Sequence, residues 1–391
     1  MREFERSHLG SFGVAVVTSR IWGCERAQAR SHPQIRGYPA KSQRALTYSR
    51  IGSYAIIIIM NPRDLVKDTL QFASPPRIPR QLWDLPWAAD HYPQELAAIK
   101  RQYPDDIIGA PACLAKPLKT SGEQYQAGYY VDEWGCRFRN IQPGLIGEVK
   151  EPLLKDYATL DLLRTPDELL SVDVEQVNAF CRSTDRFVLA GVCPNPFERI
   201  QYIRTPENIY LDLIDNREGV TALLDKVHQF YLKVFELWVK TDVDAITWND
   251  DWGAQRALLI SPKLWRQLFK PVYKDFVDLA HSYGKYAFMH SDGYIADIIP
   301  DLIEVGVDAL NSQLFCMNIE ELGQRYAGKI TFWGEIDRQH LLAFGTPADV
   351  AAGVQRVRKA LYHNGGVIAQ CEFGAGARPE NVAQVFQSWN E

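Results

Sequence analysis

Two short apolar runs in this chain end in residues able to hold a metal. Tyr286-Ala-Phe-Met-His290-Ser-Asp292-Gly293 closes on an imidazole and a carboxylate. Gly365-Gly-Val-Ile-Ala-Gln-Cys371-Glu372 closes on a thiol and a carboxylate. Histidine, cysteine and carboxylate are the ligand types of catalytic zinc sites, which keep one position open. His290 and Asp292 lie two apart in extended chain, so their side chains leave it in the same direction. Cys371 ends a later strand and could meet them at one mouth of a parallel barrel. The expected ligand set is therefore His290, Asp292 and Cys371. The alternative is that His290 and Asp292 only hydrogen-bond substrate, with Cys371 a small apolar filler.

The elements that would position these residues follow a regular pattern from about residue 186. Apolar strands are expected at Phe187–Val192, Val243–Trp248, Tyr286–Met289, Val307–Leu310, Ile330–Trp333 and Val367–Gln370. Amphipathic helices lie between them, such as the one from Pro262 to Ser282, capped by Ser261 and stopped by Gly284. Strand–helix units of this length imply a parallel sheet. Six such strands, with room for two more in 100–160, imply an α/β fold of the (β/α)8 barrel type. Before it comes an irregular, aromatic-rich segment, 73–160, holding Trp83, Trp87, Tyr125, Tyr129, Tyr130 and Trp134.

Chemistry in such barrels gathers at the C-terminal ends of the strands. Those ends read Asn249-Asp250-Asp251, His290-Ser-Asp292, Asn311-Ser-Gln313, Gly334-Glu335-Ile-Asp337 and Cys371-Glu372. Five successive ends rich in carboxylate, amide, imidazole and thiol point to an active site. Asp251 and Glu335 are the candidate catalytic groups; a buried carboxylate near a metal has its proton affinity tuned by that setting. Asn249, Asp250, Asn311, Gln313, Asp337 and Glu372 are candidate substrate contacts. Trp83 and Trp134 are candidate walls of an apolar pocket, with core packing as the competing role. Asn249–Gly253 also reads as a plain turn.

Composition sets the bounds. The 391 residues are 46% hydrophobic and 23% charged, ample for a sizeable core. A net charge of −5 argues against nucleic acid as a partner. Seven scattered cysteines do not make a disulfide framework, so a reducing cytoplasm is the expected setting. No apolar run approaches the roughly 20 residues of a membrane span. Residues 1–59 carry nine basic residues against three Glu, without sustained periodicity. They read either as a transit peptide or as upstream sequence translated from too early a start; the second is preferred. Met60-Asn61-Pro62 reads as a natural beginning, with Asn61 capping a helix that runs to about Phe72. The expected organisation is a leader over 1–59, contributing nothing to function, and one barrel domain over 60–391.

The run from His290-Ser-Asp-Gly-Tyr-Ile-Ala-Asp through Val307-Asp-Ala-Leu-Asn311 resembles the hallmark segment of the uroporphyrinogen decarboxylase superfamily. Gly334-Glu-Ile-Asp337 is similar to its Gly-Asn-x-Asp turn, with Glu335 in the place of Asn. The resemblance implies a (β/α)8 barrel with a cleft at its C-terminal face. It covers both true decarboxylases and corrinoid-linked methyltransferases. A true decarboxylase carries Trp-x-x-Arg-Gln-Ala-Gly-Arg, whose arginines bind the substrate's carboxylates. The alignable segment here is Trp83-Asp-Leu-Pro86-Trp-Ala-Ala-Asp90, so the arginine positions fall on Pro86 and Asp90. A polyanionic tetrapyrrole would lose its bidentate donors and meet a carboxylate. The methyltransferase branch carries a zinc site of His-x-Cys with a later Cys; His290 and Cys371 match, and Asp292 replaces the middle Cys. Asp is a harder ligand, which lowers the preference for zinc and widens tolerance of other divalent ions.

The resemblance therefore implies a metal-assisted methyltransferase moving a methyl group between a small methylated substrate, or a thiol, and a corrinoid. The chain shows no Asp-x-His-x-x-Gly cobalamin signature, so the corrinoid is expected to arrive on a separate protein. Uroporphyrinogen decarboxylation and a non-catalytic, small-molecule-binding barrel are the two alternatives.

Overall fold

The computed structural model describes residues 60–144 and 146–391. The expectation for a leader falls outside them. Asn61 accepts a hydrogen bond from Asp64 N and caps the helix Pro62–Leu70, as the sequence suggested. That helix closes one end of a barrel: Val66 and Leu70 pack with Ile107, Phe187, Ala245, Phe288, Ala309 and Ile368 in its lumen.

Eight parallel strands form the barrel. They are β1 (Arg80–Asp84), β2 (Ile107–Gly109), β6 (Phe187–Leu189), β7 (Ala245–Asn249), β8 (Tyr286–Ser291), β9 (Ala309–Ser312), β10 (Thr331–Trp333) and β11 (Val367–Phe373). Their order around the sheet is β1-β11-β10-β9-β8-β7-β6-β2. Asp106 N donates to Arg80 O at 2.9 Å, which brings the two edges together and nearly closes the ring. Helices intervene between the strands, so the fold is a (β/α)8 barrel. A separate antiparallel ribbon of β3 (Gly128–Val131), β4 (Arg137–Asn140) and β5 (Glu148–Val149) fills much of the irregular segment.

Two expectations about elements change. One of the two missing strands, β1, lies at Arg80–Asp84 and not in 100–160. Its Arg-Gln-Leu-Trp-Asp sequence lacks the β-branched run that marks a buried strand, and pairing with β11 makes it one. The helix expected from Pro262 to Ser282 is two helices, Pro262–Leu268 and Lys270–Ser282. Pro271 has no N–H to give and its ring crowds the carbonyl four residues back, so the helix breaks at Phe269 and restarts at Lys270.

Side chains alternate between lumen and helix layer along each strand. Ala245, Phe288, Ala309, Trp333 and Ile368 fill the lumen, while Ile246, Ala287, Met289, Leu310, Phe332 and Cys371 pack outward with the helices. This phase decides which strand-end residues meet.

Candidate active site

Asn249, His290 and Asn311 stand in register across β7, β8 and β9. They continue the lumen rows begun by Ala245, Phe288 and Ala309, so all three face the mouth of the barrel. Asn311 Nδ2 donates to the main-chain carbonyl of Trp333. That contact fixes the amide and turns Oδ1 toward His290 Nδ1, 2.6 Å away. An amide oxygen only accepts, so Nδ1 must carry the proton. His290 Nε2 then faces Asp251 Oδ1 at 3.5 Å and Asp292 Oδ1 at 3.6 Å.

Asp251 and Asp292 meet because the loops after β7 and β8 are zipped together. Gly253 N donates to Asp292 O at 3.0 Å, Tyr294 N to Ala254 O at 2.9 Å, and Asp292 N to Asp251 Oδ1 at 2.9 Å. The backbones approach so closely that a Cβ at Gly253 would collide with Tyr294 N and Gly293 C. Gly293 has φ +75°, and a Cβ there would strike Gly253 O.

Asp251, His290 and Asp292 each offer a ligand atom within 4.8 Å of the others, the ligand cluster found among the described residues. Asp251 Oδ2 and Asp292 Oδ1 are buried without a hydrogen-bond partner among those residues. Buried carboxylate oxygens left unpaired are costly unless a cation meets them. One nitrogen and two carboxylates fit a divalent ion of the zinc type, and tolerate harder ions. Burial first, then the neighbouring Asp292, pushes the Asp251 carboxyl up to about 6.

Cys371 corrects the expected ligand set. It is fully buried in the outer apolar layer, and burial pushes its thiol well up. Glu372 beside it takes the lumen direction, so strand alternation sends Cys371 toward the helices. Asp251 stands in the cluster where the thiol was expected.

The other sequence candidates divide. Trp83 lies in the lumen, its ring 5.3 Å from that of His290 and 5.2 Å from that of Trp333. Glu335 is 2% exposed, and its Oε1 has no hydrogen-bond partner among the described residues. It lines a cleft at the mouth with Gln255, Gln313, Phe315, Asp337 and Arg338. Burial pushes its carboxyl well up, and Asp292 and Glu372 push the same way against the opposing pull of Arg338. Glu372 reaches Arg338.

Five candidates have structural employment. Asp250 is enclosed: Oδ1 accepts from Phe197 N and Glu198 N, and Oδ2 from Tyr273 Oη at 2.6 Å. Asp337 lies on the cleft, but its oxygens cap the turn at Gln339 and His340. Trp134 packs edge-on against Phe230 and Tyr231 under Arg199, in the outer core. Asn311 works through His290, and Gln313 holds Gly293 N at 2.9 Å.

Two residues of the site had no place in the sequence reading. Arg338 Nη2 pairs with Asp292 Oδ2, and Nη1 lies 3.3 Å from both Glu335 Oε2 and Glu372 Oε2. Glu198, 6% exposed, accepts from Tyr202 Oη and from Asn249 Nδ2, each at 2.8 Å. Burial pushes its carboxyl well up, with Asp251 and Asp250 adding to the effect. Arg338 lies in the loop after β10 and Glu198 in the first turn of the helix that follows β6, Pro196–Arg204, and that position at the C-terminal side of a strand is the signal that could have found them.

Residues 132–391 match the model of the family described as uroporphyrinogen decarboxylase (URO-D). The chain belongs to that family. Among solved structures, a methyltransferase from Methanosarcina mazei is similar at TM-score 0.61 and 16% identity, over 85% of this chain and 99% of that one. At that identity the likeness shows the shared fold. An endo-beta-1,4-xylanase of glycoside hydrolase family 10 from Gloeophyllum trabeum gives TM-score 0.40 and 12% identity, over 83% and 99%, too loose a likeness to bear on the site. A comparison with curated proteins finds no significant match.

Proposed function

We propose that this member of the URO-D family is a metal-assisted, corrinoid-dependent methyltransferase working in the cytoplasm. It moves a methyl group between a small methylated substrate, or a thiol, and a corrinoid carried by a separate protein. The observation that carries this reading is His290 Nε2 held between Asp251 and Asp292, with buried carboxylate oxygens unpaired around it. Similarity in fold to the Methanosarcina mazei methyltransferase supports it.

Asp251, His290 and Asp292 would hold the metal, with Asn311 setting the histidine tautomer. A divalent ion bound there would supply a Lewis acid for the heteroatom next to the transferred methyl group, or lower the pKa of an acceptor thiol. The corrinoid, brought to the mouth, would supply the cobalt that gives or takes the methyl. Trp83 walls the lumen side and limits water around His290. In demethylation the donor's heteroatom keeps the electron pair of the broken bond and needs a proton. Glu335 lines the cleft with an unpartnered oxygen, and burial raises its affinity for a proton against the pull of Arg338, which suits it to that transfer.

Charge argues against decarboxylation of uroporphyrinogen. Asp251, Asp292, Glu335 and Glu372 crowd the mouth, and Arg338 is committed to three of them. Pro86 and Asp90, on the helix Pro86–His91, offer no guanidinium to a polyanion. Incubating zinc-loaded protein with cob(I)alamin and a panel of methyl ethers, methylamines and methyl thiols tests the reading. Methylcobalamin formation is expected with at least one class. A protein that forms none, yet decarboxylates uroporphyrinogen, would refute it.

A further inference from the structure

Three carboxylates from three strand ends converge on one guanidinium. Arg338 takes Asp292 through Oδ2, Glu335 through Oε2 and Glu372 through Oε2. Asp292 Oδ1 is left facing His290 Nε2 at 3.6 Å without a hydrogen-bond partner. The two oxygens of Asp292 are thus divided, one toward Arg338 and one toward the ligand cluster.

We propose that Arg338 is a positioning residue that limits how many carboxylate oxygens a bound metal can take. It fixes Asp292 as a one-oxygen ligand and keeps Glu335 and Glu372 outside the coordination shell. The inference rests on the metal part of the reading above and extends it to a residue no other observation assigns.

The chemistry follows from ligand number. Four carboxylates free to close on a dication would build an oxygen-rich, six-coordinate site suited to magnesium, calcium or manganese. Two carboxylate oxygens and one imidazole leave a position open for substrate, as catalytic zinc requires. A planar guanidinium with five donors can serve three carboxylates at once, which a lysine ammonium does less well. Its charge also opposes a nearby dication, so it weakens metal binding while it shapes it.

Cobalt(II) reads both effects. Its visible bands are intense in four-coordinate sites and weak in six-coordinate ones, and titration gives the dissociation constant. Arg338→Met is expected to bind cobalt about tenfold or more tighter than wild type, with weak six-coordinate bands. Adding Glu335→Gln and Glu372→Gln to that variant should restore the intense bands. If Arg338→Met does not fold, Glu335→Gln with Glu372→Gln in the wild-type background replaces it. There the intense bands should stay as they are, because Arg338 already excludes both groups. Unchanged bands and affinity in Arg338→Met would overturn the proposal, as would loss of cobalt from it, changed bands in the Gln pair, or a protein that takes up no cobalt. No corrinoid or methyl donor enters these measurements, so failure here and failure of methyl transfer are told apart.

Discussion

His290 Nδ1 lies 2.6 Å from Asn311 Oδ1, and this contact decides which nitrogen of the ring is left to work. The Asn311 amide cannot flip without losing the Trp333 carbonyl, so Nε2 faces Asp251 and Asp292. His290→Ala should abolish stoichiometric metal without unfolding the barrel, since a site at the mouth adds little to the core. Asn311→Leu should weaken metal binding about tenfold to a hundredfold through the freed ring. Cys371→Ser should leave metal content unchanged. Elemental analysis and metal titration of the three variants check this; metal lost with Cys371→Ser would restore the thiol to the site.

Gly253 and Gly293 hold the two acidic loops together. Gly253→Ala forces the backbones apart, since its Cβ meets Tyr294 N and Gly293 C. The expected cost is about 1–3 kcal/mol of stability, with loss of the bound metal as Asp251 and Asp292 separate. Urea denaturation beside metal analysis tests this. Full metal occupancy in a folded Gly253→Ala protein would show that loop contact is not what sets the cluster.

Much of this arrangement is legible in the sequence. Six barrel strands and their polar ends stand out because a parallel barrel buries apolar runs and exposes their C-terminal tips. Cys371 was misplaced although a signal was present. Gln370 and Glu372 mark the lumen face of β11, so the residue between them faces the helices. Strand β1 is not legible, because its burial comes from pairing with β11 at the far end of the chain. Arg338 sits in a loop and Glu198 in the first turn of the helix Pro196–Arg204; the path of both is set by tertiary contacts, with partners up to 52 residues away.

Asp105 makes stability depend on pH away from the site. Burial pushes its carboxyl up to about 6 from an ordinary value of 3.8, although Leu82 N donates to it. The folded state therefore holds this proton more tightly than the unfolded chain does. Its favourable contribution is full below about pH 3.8 and is lost as pH rises through about 6. Asp105→Asn should leave stability nearly unchanged at pH 4 and raise it at pH 7. Denaturation midpoints across that range check the sign; an equal shift at both ends would remove the carboxyl as the cause.

Uroporphyrinogen should not be a substrate. With acidic side chains around the mouth and Arg338 committed to three of them, neither isomer I nor III should be decarboxylated. Chromatography of the porphyrins after oxidation is the check, and coproporphyrin formed at a catalytic rate would place this chain among the decarboxylases.

The most direct measurement is the absorbance change of cob(I)alamin to methylcobalamin, followed with wild type and His290→Ala protein, each with and without added zinc. Wild type with zinc should methylate the corrinoid from at least one class of methyl donor. Chelation should stop the reaction, zinc should restore it, and His290→Ala should stay inactive in both conditions. Methylation at wild-type rate by His290→Ala, or by protein stripped of metal, would contradict a reaction centred on Asp251, His290 and Asp292.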